Sequence, residues 1–211
     1  MMMKTKIAIL LFLVFVLSSK SISYAEPVLD TDGEPLRPGI EYYAVTNGPS
    51  GGLSLSPPGS SQSCPYNVII ELTSQNYGHP VTFKSLEPSV TTIGTSVALN
   101  MVSVLDEDSN QCPDQSLAWK VSENPSTGKW DVTTGGTVGN PDASASQFQI
   151  VPLGARGSYA FTFCPPGCSC KLLSITSVAG DEEARLGVST SGGGPTFTFK
   201  KADHIRIKQV A

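Results

Sequence analysis

Few side chains in this 211-residue sequence could do covalent chemistry, and none stands in a convincing catalytic pattern. The segment Gly48–Gly52 matches G-x-S-x-G, in which a hydrolase exposes its serine on a turn between a strand and a helix. A β-rich run follows here instead of a helix, so the match indicates an ordinary loop. His79 and His204 could activate a serine or cysteine, but neither lies in a recognisable motif and both are expected at the surface. We therefore predict that the protein is not an enzyme.

Side chains that bind metal ions are also sparse. The acidic run Asp106–Asp108 could hold a cation, although a solvated loop explains it better. The segment CPPGCSC at residues 164–170 lacks the paired CxxC motifs of a zinc site, and the chain contains two histidines. We expect no metal and no cofactor.

One connection could instead contact another molecule. Residues 83–94 read FKSLEPSVTTIG and separate two strand candidates, Val81–Lys84 and Val97–Val104. The stretch holds one lysine, one glutamate and one proline, and it lacks the alternation of a half-buried strand. A compact protein that holds out such a segment offers it to a partner, so the elements that position it matter.

Short strands must be the elements that position this segment, because helical periodicity is nearly absent from the sequence. Twenty glycines and sixteen prolines suit a chain of turns, and several runs alternate as half-buried strands do. Twelve strands suggest an all-β sandwich or closed barrel, and they divide into three groups of four, as in a β-trefoil with three pseudo-repeats. The predicted strands are Tyr42–Val45, Leu53–Ser56, Val68–Leu72, Val81–Lys84, Val97–Val104, Leu117–Val121, Trp130–Thr133, Phe148–Val151, Ser158–Phe163, Leu172–Ser177, Arg185–Ser189 and Thr196–Lys200.

The N-terminus has the features of a secretory signal peptide over residues 1–25. Basic residues precede eleven apolar residues at Ile7–Leu17, and small residues stand at the −3 and −1 positions of a cleavage site after Ala25. A run of eleven is too short to span a bilayer, which takes about 20 residues. We expect a secreted mature chain, Glu26–Ala211, that forms one domain.

Cleavage would leave eighteen acidic and eleven basic side chains, a formal charge of −7. Such a chain has no electrostatic footprint for nucleic acid or for an anionic membrane. Export also implies an oxidising compartment, where disulfides are the default and an odd number of cysteines leaves one thiol over. The five cysteines are Cys64, Cys112, Cys164, Cys168 and Cys170.

Several segments resemble the plant Kunitz (soybean trypsin inhibitor) family, which includes miraculin-like members. Val28–Leu36 (VLDTDGEPL), followed by Tyr42–Val45 (YYAV), is similar to the opening signature of that family. Cys64-Pro65, Cys112 and Phe161–Pro165 (FTFCP) stand where the family has them, and Thr198–Ala202 (TFKKA) resembles its last strand. The resemblance covers essentially the whole mature chain.

The resemblance implies a β-trefoil and two disulfides. The first would join Cys64 to Cys112, and the second would start at Cys164. We favour Cys170 as its partner, which leaves Cys168 free, while Cys164–Cys168 is the rival and Cys168–Cys170 would be a tight ring. We also expect a monomer exported to the apoplast, with the vacuole as the alternative destination.

In inhibitory members, the connection between the fourth and fifth strands lies in a protease cleft like a substrate. Its P1 side chain fills the specificity pocket, and a trypsin-like pocket that ends in aspartate requires arginine or lysine there. Here the contact residues would be Ser85, Leu86, Glu87, Pro88, Ser89 and Val90.

Two departures argue against strong trypsin inhibition. Gap-free counting from Cys64 places P1 at Pro88, which has no N–H to donate and a fixed φ. A register shifted by one would set Glu87 against the aspartate of the pocket, and Leu86 suits only an apolar pocket. Pro38 stands where inhibitory members brace the loop with an asparagine.

The first hypothesis is therefore a secreted endopeptidase inhibitor that is not a strong trypsin inhibitor. Its target would be a serine protease, with cysteine and aspartic proteases as alternatives. Arg156 and Lys171 are alternative contact residues because they are basic and expected to be exposed. The second hypothesis is a non-inhibitory storage, defence or ligand-binding protein with the same fold.

Overall fold

Twelve short strands form in the part of the chain described by a computed structural model, residues 25–57, 64–125, 127–176, 183–189 and 192–202. They lie close to the twelve predicted segments. The predicted signal peptide (apart from Ala25) and His204 lie outside the described residues. The strands are β1 (Tyr42–Thr46), β2 (Leu53–Ser56), β3 (Asn67–Ile70), β4 (Val81–Ser85), β5 (Leu99–Ser103), β6 (Lys120–Glu123), β7 (Trp130–Thr133), β8 (Phe148–Pro152), β9 (Tyr159–Phe163), β10 (Lys171–Ile175), β11 (Ala184–Val188) and β12 (Phe197–Lys201).

Six of these strands close a barrel. Antiparallel pairs run β12–β1, β1–β4, β4–β5, β5–β8 and β8–β9, and pairing of β9 with β12 completes the circle. The other six form the hairpins β2–β3, β6–β7 and β10–β11, and β3, β7 and β11 pair with one another. Each group of four consecutive strands thus adds two strands to the barrel and one hairpin, so the predicted β-trefoil is confirmed.

No α-helix occurs in the described residues, which contain two single-turn 3-10 helices at Glu107–Ser109 and Ser144–Ser146. No described helix is therefore long and apolar enough to cross a membrane.

Aromatic rings from all three groups of strands meet in the core. Phe199 packs edge-on against Phe83 with ring centroids 5.4 Å apart. Phe161 lies 6.0 Å from Trp119, which packs edge-on against Phe148 at 6.1 Å. All five side chains are buried, so the alternating aromatic pattern of β12 and β9 translates into inward-facing rings.

The sixth strand begins three residues later than the sequence predicts. The segment predicted at Leu117–Val121 enters its ladder only at Lys120. Before that point, Ala118 forms an isolated bridge with Val102, and the Trp119 N–H donates to the Met101 carbonyl at 2.8 Å. The indole N–H of Trp119 donates to Ser103 Oγ at 2.8 Å. Ala118 and Trp119 thus pair with β5, and the ladder with β7 starts after them.

Both disulfides implied by the resemblance are present. Cys64 is joined to Cys112 across a sequence separation of 48, and Cys164 is joined to Cys170 across a separation of 6. Cys168 keeps a free, exposed thiol.

Candidate functional site

The connection predicted as the contact loop follows β4 and runs to the start of β5. Ser85 is the last residue of β4, and Leu86 and Val90 are half-buried on either side of the tip. The side chains of Glu87, Pro88 and Ser89 are exposed. The structure therefore brings the six predicted residues together as one projecting loop with three outward-facing side chains.

The tip of this loop is a closed β-turn. The Val90 N–H donates to the Glu87 carbonyl with an N···O distance of 3.2 Å. Pro88 takes the second position of the turn, where its fixed φ is favourable. The Glu87 N–H donates to Ser85 Oγ at 3.0 Å. Three backbone groups that an extended substrate could offer to a protease strand are thus engaged inside the loop.

The base of the loop is held by the segment Pro27–Gly39, which precedes β1. The Ile93 N–H donates to the Leu36 carbonyl at 2.8 Å, and the Val28 N–H donates to the Ile93 carbonyl at 2.9 Å. On the other side of the loop, the Gly39 N–H donates to the Phe83 carbonyl at 3.1 Å. Val28, Leu36 and Ile93 are all buried, so the base is fixed to the core while the tip is free of it.

We name the hydrogen-bonded set Val28, Leu36 and Ile93 the N-terminal clamp. Its role was not predicted from the sequence, although the sequence contains a signal for it. Val28 and Leu36 flank the turn at Asp30–Glu34, where Asp30 Oδ1 accepts the N–H groups of Asp32 and Glu34 at 2.9 Å. A turn between two apolar residues ahead of β1 predicts a small hairpin with a buried face.

Pro38 lies half-buried beside the clamp, where the resemblance places a bracing asparagine. Proline carries no side-chain donor, so it cannot brace the loop with an amide. The neighbouring Arg37 N–H donates to the hydroxyl of Tyr42 at 3.0 Å instead. Support of the loop therefore comes from backbone groups of the clamp and of Gly39.

The charge of the loop is acidic at its tip. Glu87 is its one ionisable side chain, and Lys84 is exposed one residue before the loop begins. A pocket that ends in aspartate would repel Glu87, whereas an apolar pocket could accept Leu86.

The alternative contact residues lie on other elements. Arg156 is exposed in the turn between β8 and β9, where the Ser158 N–H donates to the Ala155 carbonyl at 3.0 Å. Asn47 braces this turn by donating from Nδ2 to Ser158 Oγ at 2.7 Å. Lys171 is the exposed first residue of β10 and follows the disulfide loop. The structure does not bring either residue into the loop after β4.

His79 is only partly exposed, so the expectation of an ordinary surface histidine is wrong. It is half-buried, its Nδ1 accepts the Leu55 N–H at 3.2 Å, and Ser54 Oγ lies 2.9 Å from the same atom. Burial lowers the pKa of His79 below 6.5, and the carboxylates of Glu71 and Asp106 oppose that shift. The ring accepts the Leu55 N–H and lies within hydrogen-bonding distance of Ser54 Oγ, so it ties β2 to the segment before β4.

The remaining chemical candidates do not assemble into a site. The segment Gly48–Gly52 is a loop that leads into β2, as predicted, and Asp106–Asp108 is exposed. Among the described residues, no group of three histidine, cysteine or acidic side chains is close enough to hold a metal ion.

Comparison with known proteins gives a consistent result. A family model described as trypsin and protease inhibitor matches residues 28–201. A 21 kDa seed protein of Theobroma cacao is 34% identical, with 99% of this chain and 98% of the relative covered. A latex serine proteinase inhibitor of Carica papaya is 30% identical over 72% of this chain and 83% of its own. Soybean trypsin inhibitor, in its complex with porcine pancreatic trypsin, superposes with a TM-score of 0.71 at 24% identity, covering 84% of this chain and 100% of that one.

Proposed function

The chain belongs to the Kunitz family of trypsin and protease inhibitors, and from that premise we propose that it is a secreted inhibitor of an endopeptidase. The loop of Ser85–Val90 enters the active-site cleft of the protease. One observation carries the proposal: an exposed tip stands on a base that the N-terminal clamp fixes to the core. A loop that is already ordered loses little conformational entropy on binding, which favours affinity.

The target of this loop is a protease with an apolar specificity pocket. Leu86 is an apolar side chain next to the exposed tip of the loop, and it is partly exposed. To pair with a protease strand, the tip must first open the Glu87–Val90 hydrogen bond. Loss of one such bond costs roughly 1 kcal/mol, or about fivefold in affinity. We expect chymotrypsin-like or subtilisin-like enzymes to be inhibited and trypsin to be inhibited weakly.

A non-inhibitory protein of the same fold is the second candidate. The closed turn around Pro88 favours it, because this turn hides backbone groups that substrate-like binding uses. The cacao relative, which matches over nearly the whole chain, is a seed protein by name.

Titration of the mature, oxidised protein against trypsin, chymotrypsin, subtilisin, papain and a pepsin-like enzyme tests the proposal. A variant in which residues 85–90 are scrambled is the matched control, since it keeps the composition and the clamp. Tight inhibition of chymotrypsin or subtilisin that the scrambled variant loses, with any slow cleavage mapping to residues 84–92, supports the loop. Inhibition that survives scrambling moves the contact to Arg156 or Lys171, and no inhibition at micromolar protein favours the second candidate.

A further inference from the structure

A groove on the hairpins is built from other elements than the contact loop. It is formed by β7, β10 and β11 and consists of two lobes of about 740 and 450 Å³. Trp130, Lys171 and Val188 line both lobes, so the indole stands between them. These volumes fall within the range of small-molecule sites. The contact loop, by contrast, connects two strands of the barrel.

Two large apolar side chains of the groove are strongly exposed. Trp130 is 52% exposed and Ile175 is 48% exposed, although both belong to well-paired strands. Phe163 and Pro165 add to the smaller lobe. An exposed indole offers flat faces for stacking, and it prefers another planar ring. The exposed side chains of Trp130 and Ile175 therefore favour a ligand with a flat apolar body.

The charge of the groove determines which polar group such a ligand would carry. Lys171 lines both lobes and Lys129 lines the larger one, whereas the described lining residues include no aspartate or glutamate. Glu123 lies opposite Trp130 in the β6–β7 ladder, outside the lining. Sugars are usually recognised by asparagine, glutamine or acidic side chains beside the ring, and the described lining has none of these. The ammonium group of Lys171 would repel a cationic ligand and attract an anionic one.

We propose that the groove formed around Trp130 and Lys171 binds a small planar aromatic carboxylate. The ring stacks on the indole of Trp130 against Val188, and the carboxylate faces the ammonium group of Lys171. The site is independent of the contact loop, and its test does not require protease inhibition.

Isothermal titration calorimetry on the mature, disulfide-bonded protein tests this with naphthalene-2-carboxylate as the probe. We expect one site, with affinity at least tenfold higher than for naphthalen-2-ylmethylammonium, which has the same ring and the opposite charge. Lys171→Gln should weaken binding of the carboxylate about fivefold, the effect of about 1 kcal/mol. Trp130→Ala should weaken it at least tenfold. Lys84→Gln removes another exposed lysine that lies outside the groove, and it should leave the affinity unchanged.

A second measurement locates the bound probe. Cys168 lines the smaller lobe and has the free thiol, so its reaction with neutral 4,4′-dithiodipyridine should slow several-fold at saturating carboxylate. Equal affinity for the carboxylate and the ammonium compound, or an unchanged affinity of Lys171→Gln, would overturn the proposal. If decanoate bound as tightly as naphthalene-2-carboxylate, the proposal of an aromatic ligand would be wrong, and an acyl chain would take its place. Absence of binding at millimolar probe would also refute it.

Discussion

Ile93 connects the proposed contact loop to the core, and its truncation gives the sharpest test of that connection. The side chain is 2% exposed and belongs to the main hydrophobic cluster, while its backbone N–H and carbonyl bond to Leu36 and Val28, the other two residues of the N-terminal clamp. Ile93→Ala removes three buried carbon atoms and leaves a cavity beneath the base of the loop. Such substitutions cost about 2–5 kcal/mol of the free energy of unfolding.

We expect a loss of about 3 kcal/mol for Ile93→Ala, because the neighbouring backbone is held from two sides and collapses only partly. For a domain of this size, that corresponds to a fall in Tm of roughly 6–12 °C. Val90→Ala is the matched control at the tip. Val90 is half-buried and belongs to the turn, so its truncation should cost less than about 1 kcal/mol.

Guanidinium unfolding followed by the fluorescence of the buried Trp119 measures both free energies. Limited proteolysis by subtilisin measures how well the loop is held. Because Ile93→Ala loosens the base, this variant should be cleaved within residues 84–92 faster than Val90→Ala. A loss below about 1 kcal/mol for Ile93→Ala would refute the argument that the core holds the loop. Equal cleavage rates in the two variants would show that order at the tip does not depend on the clamp.

Three further predictions concern stability and specificity. Because the folded-state pKa of His79 lies below 6.5, the folded protein binds fewer protons, and the free energy of unfolding should fall as pH drops below about 6.5. His79→Gln should flatten that slope between pH 7 and 5 in chemical unfolding, and an unchanged slope would reject the role given to the bond from Leu55. Replacing Cys64 and Cys112 together by serine should cost roughly 4 kcal/mol by the chain-entropy model, and a loss under about 1 kcal/mol would contradict it. Pro88→Arg restores a base at the P1 position implied by the family, so it should raise trypsin affinity at least tenfold by inhibition assay; no gain would argue that the loop cannot extend.

Local sequence patterns were sufficient to predict the strands of this fold. The alternation in Thr196–Lys200 and Ser158–Phe163 is a period-2 signal that reports which face is buried, and both segments formed strands with inward-facing rings. The segment Leu117–Val121 was also predicted as a strand, yet β6 begins only at Lys120. Its start depended on a bridge to β5, a contact that no local pattern specifies.

The candidate loop was partly predictable because its turn is encoded by a local sequence pattern. The sequence Glu87–Val90 contains proline at the second position of four, a recognised turn signal, and the six loop residues were identified by resemblance. The clamp was not identified, because Val28 and Ile93 are far apart along the chain and meet only when the segment before β1 folds under the loop. Burial of His79 was missed because it requires Ser54 and Leu55 on another strand to approach its ring.

By itself, the sequence determined the strand content, the cysteine chemistry available and the absence of a recognisable catalytic pattern, since these follow from residue type and local period. Tertiary structure decided how the contact loop is supported and how Trp130, Lys171 and Val188 come to line one groove. These three side chains belong to β7, β10 and β11, which become neighbours when hairpins from different groups of four strands pair. Sequence patterns report neighbours a few residues apart, whereas both surfaces are built from contacts across the whole chain.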